Sequence, residues 1–277
     1  MSVRFQVSRG KFEGKVVVIT GSARGQGKSH ALGFAREGAE VVVNDVCRNA
    51  SSVPYPLATE RELDGTVEEI KKMGGRVLGI KADVGIEADA KRLVDTTIRE
   101  FGHLDILINN AGIGNVSSIH EMSLGVWEET LRTNLTGVFL VSKHAVPHMI
   151  KRRWGRIIST ASQLGLVGHP DLVHYCASKA GVIGFTKALA LELAPHQITV
   201  NAVCPSVVDT MQASGMLKAY PEWAERVFSL TGPQYLFPDG DKLQPADITN
   251  AMLWLASDEA KHVTGIALQI DAGSLAK

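Results

Sequence analysis

The sequence predicts a doubly wound α/β domain: one parallel sheet of seven strands with helices on both faces. Three observations carry that expectation. Short, β-branched apolar runs recur seven times, longer segments of helical period separate them, and neither a repeat nor a low-complexity stretch interrupts the alternation. The chain's 277 residues suffice for a single large core, and a domain of that size buries about three quarters of the surface its unfolded chain exposes. One domain over residues 1–277 therefore fits better than two.

The strands follow in order. KVVVIT at residues 15–20 leads into a glycine-rich turn and a helical segment, and EVVVND at 40–45 is the second run. RVLGIK (76–81), LDILIN (104–109), RIIST (156–160), ITVNAV (198–203) and GIALQI (265–270) complete the set. Two stretches break the rhythm. Residues 47–59, CRNASSVPYPLAT, carry two prolines and two serines directly after the second strand, which marks an insertion over about 47–62. Residues 205–244 hold Met211, Met216, Tyr220, Trp223, Phe228, Tyr235 and Phe237 among glycines and polar residues. Loops this long in a compact domain act as lids or binding segments, so 205–244 is expected to form a substrate lid.

Composition removes several classes of function. Lys+Arg and Asp+Glu both number 29, giving a net charge of zero, and no positive excess is available for a phosphate backbone. Nucleic acid is not an expected partner. Charged residues at 21% and hydrophobic ones at 45% describe an ordinary globular chain rather than a disordered one. No apolar stretch approaches the 18 residues of a membrane span, and MSVRFQVSRGKFEGK at the start has no apolar core of signal-peptide length. Cys47, Cys176 and Cys204 are odd in number, far apart and in no CxxC spacing, so neither a disulfide framework nor a zinc site is expected. A cytoplasmic protein is the expectation. His144 and His148 share a helical spacing across Pro147, with no further ligand near them in sequence; no metal is expected.

The chemistry begins after the first strand, at Thr20-Gly21-Ser22-Ala23-Arg24-Gly25-Gln26-Gly27. Glycines in this strand–turn–helix context let backbone N–H groups approach a pyrophosphate at a helix N-terminus. Asp45 ends the second strand, where a carboxylate can accept from a ribose 2′-OH and repel a 2′-phosphate. Arg24 pulls weakly the other way, because a guanidinium can meet that phosphate. NAD is therefore expected over NADP. Asn109-Asn110-Ala111-Gly112 closes the fourth strand at its carboxyl end, the edge where ligands bind in such sheets.

Asn134 lies in LRTNLTG, Ser162 just past the fifth strand, and Tyr175-Cys176-Ala177-Ser178-Lys179 opens the next helix. Tyr175 and Lys179 share a helix face. A free tyrosine titrates near 10, too high for a general base. An ammonium about 4 Å away at an effective dielectric of ~20 supplies about 4 kcal/mol, enough to bring the phenol near neutrality. The Ser162 hydroxyl can hold the substrate oxygen, and Asn134 can support a water-borne proton path to Lys179. A tyrosine four before a lysine arises by chance in about one such chain in two, so its context is what carries weight. Cys176 and Cys204 lack an activating partner and read as small hydrophobes. His169 and His174 flank the segment, facing either substrate or solvent.

On these motifs the chain resembles the short-chain dehydrogenase/reductase family, from Lys15 to the DAG at 271–273. The resemblance implies a Rossmann-type single domain. It makes Tyr175 the acid/base, has Lys179 bind the nicotinamide ribose and lower the tyrosine pKa, and has Ser162 position substrate while Asn134 completes the relay. It further implies adenine contacts at Asp83 and Val84, and nicotinamide-side contacts near Pro205, Val208 and Thr210. A homotetramer is implied as well. One departure is Pro205-Ser206 where the family usually has Pro-Gly, which puts the conformation of that turn in doubt.

ARGQGKSHA, PYPLAT and DAGSLAK resemble the carveol-dehydrogenase-like, mycofactocin-coupled subgroup. That resemblance implies a tightly held, non-exchanging NAD and an external redox carrier. The expected reaction is hydride transfer between NAD(H) and an apolar, cyclic secondary alcohol or ketone. Reduction of an activated C=C bond on the same fold, and a dinucleotide-sensing scaffold without turnover, are the rivals. The scaffold would have no need of Ser162, Tyr175 and Lys179 together.

Overall fold

Side chains along each strand alternate between two separate cores, which is what a sheet covered on both faces requires. Val17, Ile19, Val41, Val43, Ile106 and Ile108 pack on one side, while Val18, Val42, Leu107 and Ile157 pack on the other. The structure, a computed structural model, describes residues 10–225 and 243–276. Phe228, Tyr235 and Phe237, expected in the lid, lie outside the described residues.

The strands are β1 (Val16–Thr20), β2 (Glu40–Asp45), β3 (Val77–Lys81), β4 (Ile106–Asn109), β5 (Gly155–Thr160), β6 (Ile198–Pro205) and β7 (Ala267–Ile270). All pair in parallel, in the order β3-β2-β1-β4-β5-β6-β7. Every expected strand is present, with ends adjusted by local contacts. Asp105 is left outside β4 and its carboxylate accepts from the Val16 N–H at 3.0 Å, closing the start of β1. β6 runs on to Pro205 because Cys204 and Pro205 find partners at Gln269 and Ile270.

Helices α1 (Gly25–Arg36) and α2 (Glu60–Lys72) cover one face together with α8 (Pro245–Ala256). The other face carries α3 (Glu87–Phe101), α5 (Gly137–Arg152) and α6 (Val173–Leu193). Between them in sequence, α4 (Leu124–Leu131) runs through a π turn, Arg132–Thr136, into α5. α7 (Met211–Ala219) follows β6. Among the described residues no helix is long and apolar enough to cross a membrane.

Strand order reverses between β1 and β4, so the chain leaves their carboxyl ends in opposite directions and opens a crevice there. Asn110 ties the two ends together. Its backbone N–H donates to the Thr20 hydroxyl at 3.0 Å, and its side-chain amide donates to the carbonyls of Thr20 and Gly21 at 3.0 and 3.1 Å.

Candidate active site

Gly21 opens the turn with φ +64°, and a Cβ there would sit 2.8 Å from the Ala111 Cα. At Gly27 a Cβ would fall 2.1 Å from the Gly21 carbonyl oxygen. Only glycine fits either position. The first turn of α1 holds no acidic residue and no side-chain cap, so its N–H groups face the crevice unspent, as an anion site needs. A cavity of about 470 Å³ runs from here along the strand ends. Gly21, Arg24, Gly25, Gln26, Gly27, Asp45, Asp83, Val84, Asn110, Ala111, Gly112, Pro205 and Thr210 line it, together with Ser162, Tyr175 and Lys179. Of the expected dinucleotide contacts, Val208 alone lines a second, smaller cavity instead.

Asp45 ends β2 on the wall of the larger cavity. Its carboxylate accepts from the N–H groups of Ala23 and Val46 at 3.2 and 2.9 Å. Burial raises its pKa, and those backbone donors and the Arg24 charge oppose the rise. Arg24 lines the same cavity. Its guanidinium donates to the Pro56 carbonyl and lies 3.6 Å from Glu62, so it clamps the insertion rather than awaiting a 2′-phosphate. Asp83 accepts from Arg132 and Arg48 at 3.1 and 3.0 Å and from the Gly85 N–H at 2.9 Å.

The insertion, residues 46–59, forms a strap along this cavity. Tyr55 is buried, and its phenol oxygen accepts from the Gly114 N–H at 3.1 Å. The Asn49 side chain accepts from the Leu57 N–H at 2.8 Å, and Glu129 accepts from the Ser52 N–H at 3.3 Å. Thr59 and Glu62 then make a reciprocal capping box that starts α2. Sequence reasoning assigned Tyr55 no role; an aromatic between two prolines in an otherwise polar loop was the available signal.

At the other end of the crevice stand the expected catalytic groups. The Ser162 hydroxyl accepts from the Leu164 N–H at 3.1 Å, capping a 3-10 turn, and Ser162 shares both cavity walls with Tyr175. Lys179 Nζ lies 5.6 Å from the Tyr175 ring centroid and donates to the Thr160 carbonyl at 2.6 Å. Asn134 projects from the π turn, its amide oxygen accepting from the Ile113 N–H at 2.8 Å and its nitrogen donating to the Ile113 carbonyl at 2.9 Å. It lines neither cavity. A Cβ on Gly112 would nonetheless lie 3.4 Å from Asn134 Oδ1 and 3.6 Å from Lys179 Nζ, so both groups converge on that glycine.

The electrostatics correct one expectation. Burial pushes the Tyr175 phenol up to about 12, with the neighbouring Ser162 hydroxyl opposing the rise. Burial also pulls the Lys179 ammonium down to about 8. Desolvation is the leading effect on both groups: Lys179 is buried with its ammonium turned onto the Thr160 carbonyl, while Tyr175 is half-buried in the cavity wall. In the protein alone Lys179 does not bring Tyr175 to neutrality.

The smaller cavity, about 170 Å³, adjoins the first and shares Gln26, Ser162, Tyr175, Ser206, Thr210 and Gln212 with it. Leu164, Leu172, Val207, Val208, Ala213, Met216, Leu217 and Trp223 give it an apolar wall. Met216 and Trp223, expected in the lid, line the smaller cavity, whereas Met211 is exposed and lines the larger one. His169 lines the smaller cavity, its ring 5.4 Å from that of Trp223. His174 is fully buried and lines neither cavity.

Ser206 keeps an ordinary negative φ and donates its N–H to the Ile270 carbonyl at 3.2 Å, so the turn holds without glycine. Its hydroxyl and the Gln26 amide oxygen are buried without a partner among the described residues. Cys204 is buried, its thiol pushed up to about 11, and Cys176 is half-buried with its thiol also raised. Neither is activated. Among the described residues no group of three or more His, Cys, Asp or Glu side chains could hold a metal.

The short chain dehydrogenase family model matches residues 15–220. The chain belongs to the short-chain dehydrogenase family. It is 38% identical to (-)-trans-carveol dehydrogenase of Rhodococcus erythropolis over 96% of this chain and 99% of that one. A solved carveol dehydrogenase from Mycobacterium avium in complex with NAD superposes with a TM-score of 0.89 at 36% identity, covering 97% of this chain and all of that one. A short chain dehydrogenase from Mycobacterium paratuberculosis bound to NAD gives 0.92 at 33% identity over 97% of this chain. The protein is accordingly an NAD-dependent dehydrogenase acting on an alcohol, and the glycine turn, the strand-end crevice and Asp45 fit that cofactor.

Proposed function

We propose that the protein transfers a hydride between NAD(H) and an apolar, cyclic secondary alcohol or ketone, with Tyr175 as the acid/base. The observation that carries the reading is the meeting of two cavities at Ser162 and Tyr175. One is lined in equal parts by polar and apolar surface and includes backbone at a helix start; the other is mostly apolar, with α7 and Trp223 forming part of its wall. NAD, when bound, would supply the acceptor for the hydride that leaves the carbinol carbon. Gly21, Gly25, Gln26 and Gly27 would hold its phosphates, Asp45 a ribose, Asp83 and Val84 the adenine side, and Pro205, Val208 and Thr210 the nicotinamide side.

A secondary alcohol seated in the smaller cavity puts its hydroxyl between Ser162 and Tyr175. Ser162 orients it. Tyr175 takes the hydroxyl proton, and Lys179, buried beside it, supplies positive charge that favours the phenolate once the site is filled. Asn134, fixed on the Ile113 backbone, holds the loop against which a relay water would rest. A cyclic terpenoid alcohol suits the apolar wall, and carveol is the first substrate to try because a relative bears its name. The strap over 46–59 supports a slowly exchanging dinucleotide and an external carrier that reoxidises it. We further propose a cytoplasmic homotetramer.

Desalted protein, denatured so that any released dinucleotide can be weighed, and then assayed with carveol and added NAD, tests the reading. Tyr175→Phe should lower kcat about 10²- to 10⁴-fold, the usual contribution of a positioned acid/base, with NAD binding retained. Retention of most of the alcohol oxidation rate by that variant would remove Tyr175 from the mechanism. Activity on enones but on no secondary alcohol would move the reaction to C=C reduction.

A further inference from the structure

Three consecutive residues of the loop after β4 each take a partner from a different part of the site. Ile113 is held at both backbone groups by Asn134, at 2.8 and 2.9 Å. Gly114 donates to Tyr55 of the strap at 3.1 Å, and a Cβ there would lie 3.6 Å from the Tyr175 ring. Asn115 is buried between the strap and α6. Its side-chain nitrogen donates to the Ser52 carbonyl at 2.6 Å, and its oxygen lies 2.5 Å from His174 Nε2.

The chemistry of these partners fixes every orientation. A carbonyl oxygen only accepts, so the Asn115 amino group must face Ser52 and its oxygen must face the imidazole. His174 Nε2 therefore carries the proton. Nδ1 is left as a lone pair, buried and without a partner among the described residues. A second proton there would find no acceptor, and burial accordingly lowers the His174 pKa. His174 stands in the first turn of α6, directly before Tyr175. That helix has no side-chain cap at its start, so the Asn115 contact supplies a fixed point that the local sequence does not. The Ser117 N–H donates to the Asp171 carbonyl at 3.0 Å and closes the same junction from the other side.

We propose that Asn115 and His174 form a latch joining the strap over the dinucleotide cleft to the catalytic helix, with His174 a positioning residue for Tyr175. Seating the strap through Ser52 orients Asn115, Asn115 fixes the neutral Nε2–H imidazole, and the imidazole sets where α6 presents its tyrosine. Cofactor enclosure and catalytic geometry are then one coupled arrangement. The catalytic consequence rests on the dehydrogenase reading above, whereas the mechanical coupling does not.

The test is hydrogen exchange of the full-length protein without added nucleotide, read at the amides of residues 47–59, together with steady-state kinetics. His174→Leu removes the donor to Asn115 and should speed exchange across the strap about tenfold, as loss of one buried hydrogen bond allows. It should also lower kcat about tenfold while the KM for NAD changes less. His174→Gln can present an N–H in the same direction and should restore both. A substitution that only loosened α6 locally would leave the strap, far away in sequence, unchanged.

Unchanged strap exchange in His174→Leu, or equal damage from Leu and Gln, overturns the latch. If His174→Leu does not fold, Asn115→Asp replaces the amino group by an oxygen at equal size. It then sets that oxygen against the Ser52 carbonyl, so strap exchange must rise; no rise overturns the proposal equally. Wild-type protein that oxidises no alcohol would sink the dehydrogenase reading and leave the exchange result to judge the latch alone.

Discussion

Burial works against charge at Lys179, and the consequence for stability has a definite sign. Its pKa falls from 10.5 to about 8 in the folded protein. Between those values the unfolded chain binds a proton that the folded chain does not, so stability rises as pH climbs from about 8 towards 10.5. Below pH 8 the full penalty, about 3 kcal/mol, is present. Lys179→Met should therefore abolish turnover and yet melt higher than wild type at pH 7, with the gap closing by pH 10. A variant less stable than wild type at pH 7 would show that desolvation is not the governing effect. The identities of Tyr175, Lys179 and Ser162 were readable in sequence because strand ends and helical spacing locate them. Their titration was not, because it depends on how completely the fold strips water from Lys179 and how far it covers Tyr175.

At the scale of elements, the seven apolar runs were legible because a sheet buried on both faces leaves continuous β-branched stretches that no helix shares. Strand ends were less so, since Asp105 and the Cys204–Ile270 region settle them through contacts distant in sequence. Least legible was the docking of the strap, which turns on one aromatic meeting a loop and a helix. Gly215 of α7 is where that meeting is tightest: a Cβ there would fall 2.6 Å from the Tyr55 Cβ. Two effects compete in Gly215→Ala. Helix propensity gains about 1 kcal/mol, while overpacking against a buried ring costs about 1–3 kcal/mol. Overpacking should win, driving α7 and the strap apart, so bound NADH should leave several-fold faster in a fluorescence chase. Gly65→Ala, in α2 with nothing within 4 Å of the new methyl, is the control. It should stabilise the protein by about 0.5–1 kcal/mol and leave NADH release unchanged.

The whole molecule stores its function in a crevice between the two halves of one sheet, so dinucleotide binding and global stability must be linked. A ligand that binds only the folded state stabilises it by RT ln(1 + [L]/Kd), about 2.7 kcal/mol at a hundredfold excess over Kd. For a chain of this size each kcal/mol moves the melting temperature by roughly 2–4 °C, so saturating NAD should raise it by about 5–10 °C. NADP should do far less, because its 2′-phosphate meets the Asp45 carboxylate while Arg24, the cation that could have received it, is bound to Pro56 and Glu62. Asp45→Ser removes the repulsion and should bring the two shifts together, mainly by weakening NAD. Thermal melts of nucleotide-stripped protein with each dinucleotide check all three statements. Equal shifts from NAD and NADP in wild type would mean that Asp45 does not face the ribose. No shift from added NAD in protein that was only desalted, but a full shift after stripping under mild denaturant, would mean that the strap had kept its dinucleotide throughout.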